Sequence, residues 1–366
     1  MSGIRSIIPA IILFTSVGAG FGQTPTAKPT PKVDEEIIKV ESRLVVVPVS
    51  VFDANGEPVT GLKPADFQVL EEGRKQEIDQ VSDAEKTPLE IALLVDVSGS
   101  INPLFEFEIK AAAQFLESVM KPEDRATVFL IGDKPQALLT RETSPQAAAR
   151  VRTIVPSGKF TAFYDTVSAA AKYLQGNAPI KSRRVIVALT DGEDNWSNLT
   201  REAEKATYRD IDVNTLTPEK RNQLAARTDS AHQFAQTTIS RDLQNADTVF
   251  YAINPAGASY KLNKISMRAQ TGMEKFANET GGTSFLPAFA STSLKDPLQN
   301  AGNVKKNEET LARIFRQLGA ELRAQYLIQY YSESNFPLDR FVKLDVSLTN
   351  KGGNRVRARQ GYYVKK

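Results

Sequence analysis

The sequence predicts an α/β protein: a doubly wound, mainly parallel sheet with helices on both faces, accompanied by a small β-sandwich-like module. Three observations predict it. Short apolar runs such as Ile91–Val95 and Val185–Leu189 alternate with stretches of helical periodicity, the pattern of strands buried on both faces and joined by crossover helices. The two ends of the chain are instead rich in β-branched residues and broken by turn signals. Finally, Asp96 and Asp191 each stand close behind one of the apolar runs, where a parallel sheet presents its loops to ligands.

Taken in order, residues 1–22 read as a secretory signal peptide. Arg5 supplies the basic start, Ile7 to Phe14 form an apolar stretch interrupted by Pro9, and Gly20 and Gly22 suit a cleavage site before Gln23. That stretch is too short and too Gly-rich for a membrane span. Residues 23–35, with their Pro, Thr and Lys, read as a flexible linker. Residues 36–86 supply the first part of the β module: a strand over Leu44–Phe52, a turn at Asp53-Ala54-Asn55-Gly56, and strands at Phe67–Glu71 and near Gln76–Val81.

The α/β region spans 87–322. Strands are expected at Leu89–Val95, Ala126–Ile131, Val185–Leu189, Thr248–Ile253 and Thr283–Phe285, with a weaker one at Ala137–Thr140. Helices are expected at Leu104–Val119, Pro145–Val151, Ala162–Leu174, up to Glu279 and over Glu308–Arg323. Residues 200–246, polar and punctuated by Pro218, form a helical insertion. Residues 323–366 complete the β module with strands at Gln325–Tyr331, Phe341–Leu348 and Val356–Val364. The terminal segments are expected to pack together, with the α/β region inserted between them.

Composition narrows the function. With 46 basic and 43 acidic residues the net charge is only +3, and no basic run appears, so nucleic acid is not an expected partner. Disulfides and thiol chemistry are absent because there is no Cys. Export without disulfides suits a bacterial envelope, and the expected location is periplasmic or secreted.

The chemistry concentrates in three loops. Asp96-Val97-Ser98-Gly99-Ser100 offers a carboxylate and two hydroxyls, Gly158-Lys159-Phe160-Thr161 a third hydroxyl, and Thr190-Asp191-Gly192 a second carboxylate. Oxygen donors with few charges suit a hard cation, Mg²⁺ first and Mn²⁺ or Ca²⁺ as alternatives, with a position left for an outside ligand. Taken alone, Asp96, Ser98 and Ser100 read as a helix cap; together with Thr161 and Asp191 they read as a metal site. Trp196 and Lys159 are candidate partner contacts beside it. Glu193 and Asp194 read first as solvated loop residues, with extra acidic ligands or groups supporting the ligands as the alternative, and His232 as a residue on a helix surface.

These motifs resemble the metal-ion-dependent adhesion site (MIDAS) of von Willebrand factor A domains, and residues 88–320 resemble such a domain. The resemblance maps Asp96, Ser98, Ser100, Thr161 and Asp191 onto the family's metal-coordinating positions. The Gly-Glu-Asp-Asn after Asp191 and the Phe-Tyr-Asp after Thr161 are similar as well. Val59-Thr60-Gly61-Leu62, Asp66-Phe67 and Gly361-Tyr362-Tyr363 resemble secreted bacterial proteins carrying this domain. The resemblance implies a Rossmann-like fold and cation-dependent capture of an Asp or Glu carboxylate on a protein partner. Lys159, where a small residue is more usual, and the long insertion depart from the pattern.

Enzyme readings find little support. A haloacid-dehalogenase-type phosphatase wants a carboxylate where Ser98 stands, and Val97-Ser98-Gly99-Ser100 is not a nucleophile elbow. A serine triad would depend on His232, the sole His, and zinc chemistry has neither Cys nor a second His. Gly158-Lys159-Phe160 is no phosphate-binding loop. The expectation is an exported, non-enzymatic binding protein active in adhesion; the alternative is an envelope-assembly protein whose metal stabilises the fold.

Overall fold

The computed structural model describes residues 42–98, 103–158, 160–209, 217–255, 263–290, 296–350 and 352–365. The expected signal peptide and linker, together with Ser100 and Lys159, lie outside the described residues.

The chain opens with β1 (Arg43–Phe52), β2 (Phe67–Glu71), β3 (Arg74–Gln76) and β4 (Gln80–Asp83). It continues through β5 (Leu89–Asp96), α1 (Pro103–Val119), β6 (Arg125–Ile131), β7 (Gln136–Glu142), α2 (Ser144–Val151), α3 (Phe163–Asn177) and β8 (Arg183–Leu189). Then come α4 (Asn198–Tyr208), α5 (Pro218–Asn245), β9 (Thr248–Ile253), α6 (Lys264–Thr280), β10 (Ser284–Phe285) and α7 (Pro297–Ala324). The last strands are β11 (Tyr326–Ser332), β12 (Phe341–Leu348), β13 (Arg355–Ala358) and β14 (Gly361–Tyr363).

The fold class is the one expected. Six strands in the order β10-β9-β8-β5-β6-β7 form the central sheet, parallel throughout except for the antiparallel edge strand β7. Alternation along β5 explains why Ile91–Val95 is apolar without a break. Ile91, Leu93 and Val95 face a core with residues of α1, α2 and α7, while Ala92 and Leu94 face a second core with residues of α3, α5 and α6. The chain passes from β5 outward to β6 and β7, then returns to place β8 on the other side of β5. Strand order therefore reverses between β5 and β8, and the loops leaving their carboxyl ends diverge to leave a crevice.

Two antiparallel four-stranded sheets, β13-β1-β11-β4 and β14-β12-β2-β3, combine the N-terminal and C-terminal strands. They share one core, in which Val45, Val47, Val49 and Val51 of β1 lie with Phe67 and Val69 of β2 and Val342 and Leu344 of β12. Pro48 is tolerated within β1 because β13 pairs only from Val49 onward, so β1 is locally an edge at that point.

Two elements differ from the expectation in extent. In the insertion, where helices were expected over Asn222–Asn245, the chain forms one helix, α5, that starts earlier, with Pro218 as its first residue and Thr217 accepting a hydrogen bond from the Lys220 amide. Helix α7 begins at Pro297 instead of Glu308, because Asp296 accepts from the Leu298 and Gln299 amides and Pro297 needs no donor there.

Candidate metal centre

The three predicted loops meet at the reversal of strand order. Asp96 is the last residue of β5, and its carboxylate is held from two sides. Oδ1 accepts from the Ser98 amide (3.0 Å) and hydroxyl (2.7 Å), and Oδ2 accepts from the Thr190 hydroxyl (2.6 Å). Thr190, just beyond β8, also accepts from the Gly192 amide at 3.0 Å. One buried hydroxyl thus ties the two carboxylate-bearing loops together. Gly192 has φ +76°, a conformation that strains a residue with a Cβ, so the turn favours glycine. The loop after β5 is anchored by Ser157, whose amide and hydroxyl both donate to the Val97 carbonyl.

Thr161 is 4% exposed, and its backbone is fixed on both sides. Its amide donates to Asn195 Oδ1 at 2.8 Å, its carbonyl accepts from the Asn195 and Trp196 amides, and the next amide, Ala162, donates to the Gly132 carbonyl. Beyond it, two helix starts cap each other. Asp194 Oδ2 accepts from the Tyr164 amide and Ser197 Oγ from the Asp165 amide at the start of α3, while Asp165 accepts from the Asn198 and Leu199 amides at the start of α4. Each helix thereby satisfies donors that its own backbone leaves free. Asp194 is therefore buried and structural, not the solvated loop residue expected, and burial raises its pKa against these hydrogen bonds.

A third carboxyl faces the pair. Glu108 of α1 is 9% exposed, and burial, reinforced by Asp96 and Asp191, pushes its pKa up to about 8. Asp191 rises to about 6, chiefly through burial; a hydrogen bond from the Glu193 amide opposes the rise and the Asp96 charge adds to it. Among the described residues no Lys or Arg forms an ion pair with any of the three. Among the described residues no group of three or more Asp, Glu or His side chains is placed to hold a metal ion; what the site offers is two carboxylates, Asp96 and Asp191, with the hydroxyls of Ser98 and Thr190 beside Asp96, a donor set of the kind Mg²⁺ takes together with waters.

The rim is aromatic. Phe160, 52% exposed, stacks on Trp196 with ring centroids 4.1 Å apart and planes 7° from parallel, and Arg201 lies over the Trp196 ring at 5.0 Å. Glu193 accepts from the Ser266 hydroxyl of α6 at 2.6 Å. His232 is not on a helix surface as expected: it is 3% exposed, edge-on to Tyr164, and burial lowers its pKa to about 4. The sequence reading passed over Glu108, Thr190 and Asn195. Glu108 shares the buried helical stripe of Phe105 and Ile109, which was a usable signal; the partners of Thr190 and Asn195 lie too far along the chain to be read locally.

Residues 91–193 match a family model for the von Willebrand factor type A domain, and this part of the chain is a domain of that family. No curated protein matches the sequence. Among solved structures, an aerotolerance-related membrane protein from Bacteroides fragilis is similar over 62% of this chain and 99% of its own, at 14% identity and a TM-score of 0.35. Manganese-loaded TRAP protein of Plasmodium vivax is similar over 81% of this chain and 98% of its own, at 13% identity and a TM-score of 0.37. Proximal thread matrix protein 1 of the mussel byssus, with a zinc-occupied MIDAS motif, is similar over 69% of this chain and half (50%) of its own, at 12% identity and a TM-score of 0.40. Among the described residues, no helix is long and apolar enough to cross a membrane.

Proposed function

We propose that this chain is an exported, non-catalytic binding protein that captures an acidic group of a protein partner through a divalent cation, Mg²⁺ foremost, at Asp96, Ser98, Ser100, Thr161 and Asp191. The observation that carries the reading is the Asp96 carboxylate at the end of β5, joined through the Thr190 hydroxyl to the Asp191 loop and flanked by the Ser98 hydroxyl, with no ion-paired Lys or Arg on either carboxylate among the described residues. Asp96 and Asp191 hold the cation, and the hydroxyls complete its shell with few added charges, which keeps it attractive to a partner's carboxylate. Phe160 and Trp196 offer an apolar contact at the rim, and Lys159, the residue before Phe160 in the sequence, adds a charge that favours acidic partners. Burial of the sole His beneath Tyr164 removes the one imidazole base from the site and supports the non-catalytic reading. Export rests on the charge and apolar pattern of the first 22 residues.

The test is calorimetric titration of the EDTA-treated chain with Mg²⁺, Mn²⁺ and Ca²⁺, with and without acetate or an acidic peptide. One-site binding, tightened by the carboxylate and weakened at least about a hundredfold in a still-folded Asp191→Ala variant, is the expected result. A wild-type chain that takes up none of the three ions even with carboxylate present would sink the proposal.

A further inference from the structure

At the opposite edge of the central sheet, where β8 and β9 begin, a cavity of about 660 Å³ opens between that sheet and the sheet containing β1 and β11. Its volume falls within the range of small-molecule pockets. Leu44, Val46, Ile180 and Leu327 give it apolar walls. Ile180 is 95% exposed and Leu44 is 48% exposed, so apolar surface continues to the mouth.

Arginines supply its charge. Arg43, Arg183, Arg184 and Arg359 all line the space, and each has at least one buried guanidinium nitrogen without a hydrogen-bond partner: Arg43 Nη1, Arg183 Nε and Nη2, Arg184 Nε and Arg359 Nε. Arg183 is the extreme case. It is 6% exposed, its Nη1 donates to the Leu322 carbonyl and to Gln325 Oε1, and it forms no ion pair with a described carboxylate. The one acidic residue of the lining, Asp247, is already engaged by Arg359 (2.9 Å) and Lys365 (2.7 Å). Buried guanidinium donors left unpaired are costly, and their presence in a native cavity calls for a bound anion or solvent. The forked donors of Arg match the planar carboxylate or the phosphate, and the walls match an apolar chain.

We propose that this cavity binds a small amphiphilic anion, its carboxylate or phosphate head on the arginines and its apolar tail along Leu44, Val46, Ile180 and Leu327. The site is separate from the metal centre and does not depend on the reading given to it.

The experiment titrates the full-length chain with laurate and with dodecyl phosphate, both below their micelle-forming concentrations. Acetate, inorganic phosphate and dodecyltrimethylammonium serve as controls. Saturable one-to-one binding of an anionic amphiphile, at least about tenfold tighter than its headgroup alone, is expected, and the tighter of the two amphiphiles identifies the head. Arg183→Gln should weaken it at least about tenfold. The less buried Arg43→Gln and the surface change Ile180→Glu should also weaken it, and they keep the test clear of folding defects. Cation titration should be unchanged in all three variants. The proposal is overturned if neither amphiphile binds, if the ammonium amphiphile binds as well as the anionic ones, if a headgroup alone binds as tightly, or if Arg43→Gln and Ile180→Glu both bind like the wild type.

Discussion

The two ends of the central sheet's strands gather ionisable groups of opposite kind, carboxyls at one and arginines at the other. At the carboxyl edge Asp96, Asp191 and the buried Glu108 have no ion-paired Lys or Arg among the described residues. At the amino edge four arginines keep unpartnered buried nitrogens around a single, already engaged Asp247. Arg323, which also keeps one unpartnered nitrogen, differs in pairing with the buried Asp124. The contrast teaches that unpaired charge here is positional. Elsewhere buried carboxylates find protein donors: Glu71 accepts from the Tyr330, Ser332 and Tyr362 hydroxyls and Glu321 from the Thr283 hydroxyl, whereas these two regions lie where loops or sheets diverge and leave room for a ligand.

The largest expected effect separates the edges by stability. Mg²⁺ at about a hundred times its Kd should stabilise the wild type by about 2.7 kcal/mol. The gain should vanish in Asp96→Ala and persist in Arg183→Gln, as read by denaturant melts with and without EDTA. Loss of the gain in Arg183→Gln would show that the edges are not independent. A smaller effect probes the tie between the Thr161 and Asp191 loops. Asn195→Ala removes the acceptor for the Thr161 amide, at a cost of about 1 kcal/mol, and should weaken cation uptake several-fold while leaving amphiphile binding untouched. Equal losses at both sites would mean general destabilisation instead.

The main features of the carboxyl edge were legible in the sequence because they are local. A strand buried on both faces reads as an apolar run, and Asp96 and Asp191 stand just past two such runs. Thr161 could be placed by its nearness to the start of α3. The mutual capping of α3 and α4 was not legible, since Asp194 and Tyr164 meet across 30 positions and neither residue betrays its partner. His232 was misplaced although a signal existed: with Gln236, Ile239 and Leu243 it follows the buried stripe of α5. The arginine cavity was out of reach, because its lining comes from widely separated strands and loops and no single segment looks like a binding motif.

The interleaving of first and last strands has a consequence for biosynthesis. The Tyr330 hydroxyl that satisfies buried Glu71 lies 259 positions further along the chain. At ~5–20 residues per second, the valine-rich β1, and the side of β2 not paired with β3, wait on the order of tens of seconds after leaving the ribosome before β11 and β12 exist. During that interval their backbone edges are open to pairing with other chains. The α/β region, whose strands find neighbours within itself, should then condense first and bring the late strands back to the early ones. Pulse-labelled hydrogen exchange during refolding would show this as protection in β5 and β8 preceding protection in β1, and the reverse order would refute it. Partial products from a stalled ribosome would meet quality control as sticky ribbons attached to an otherwise finished domain.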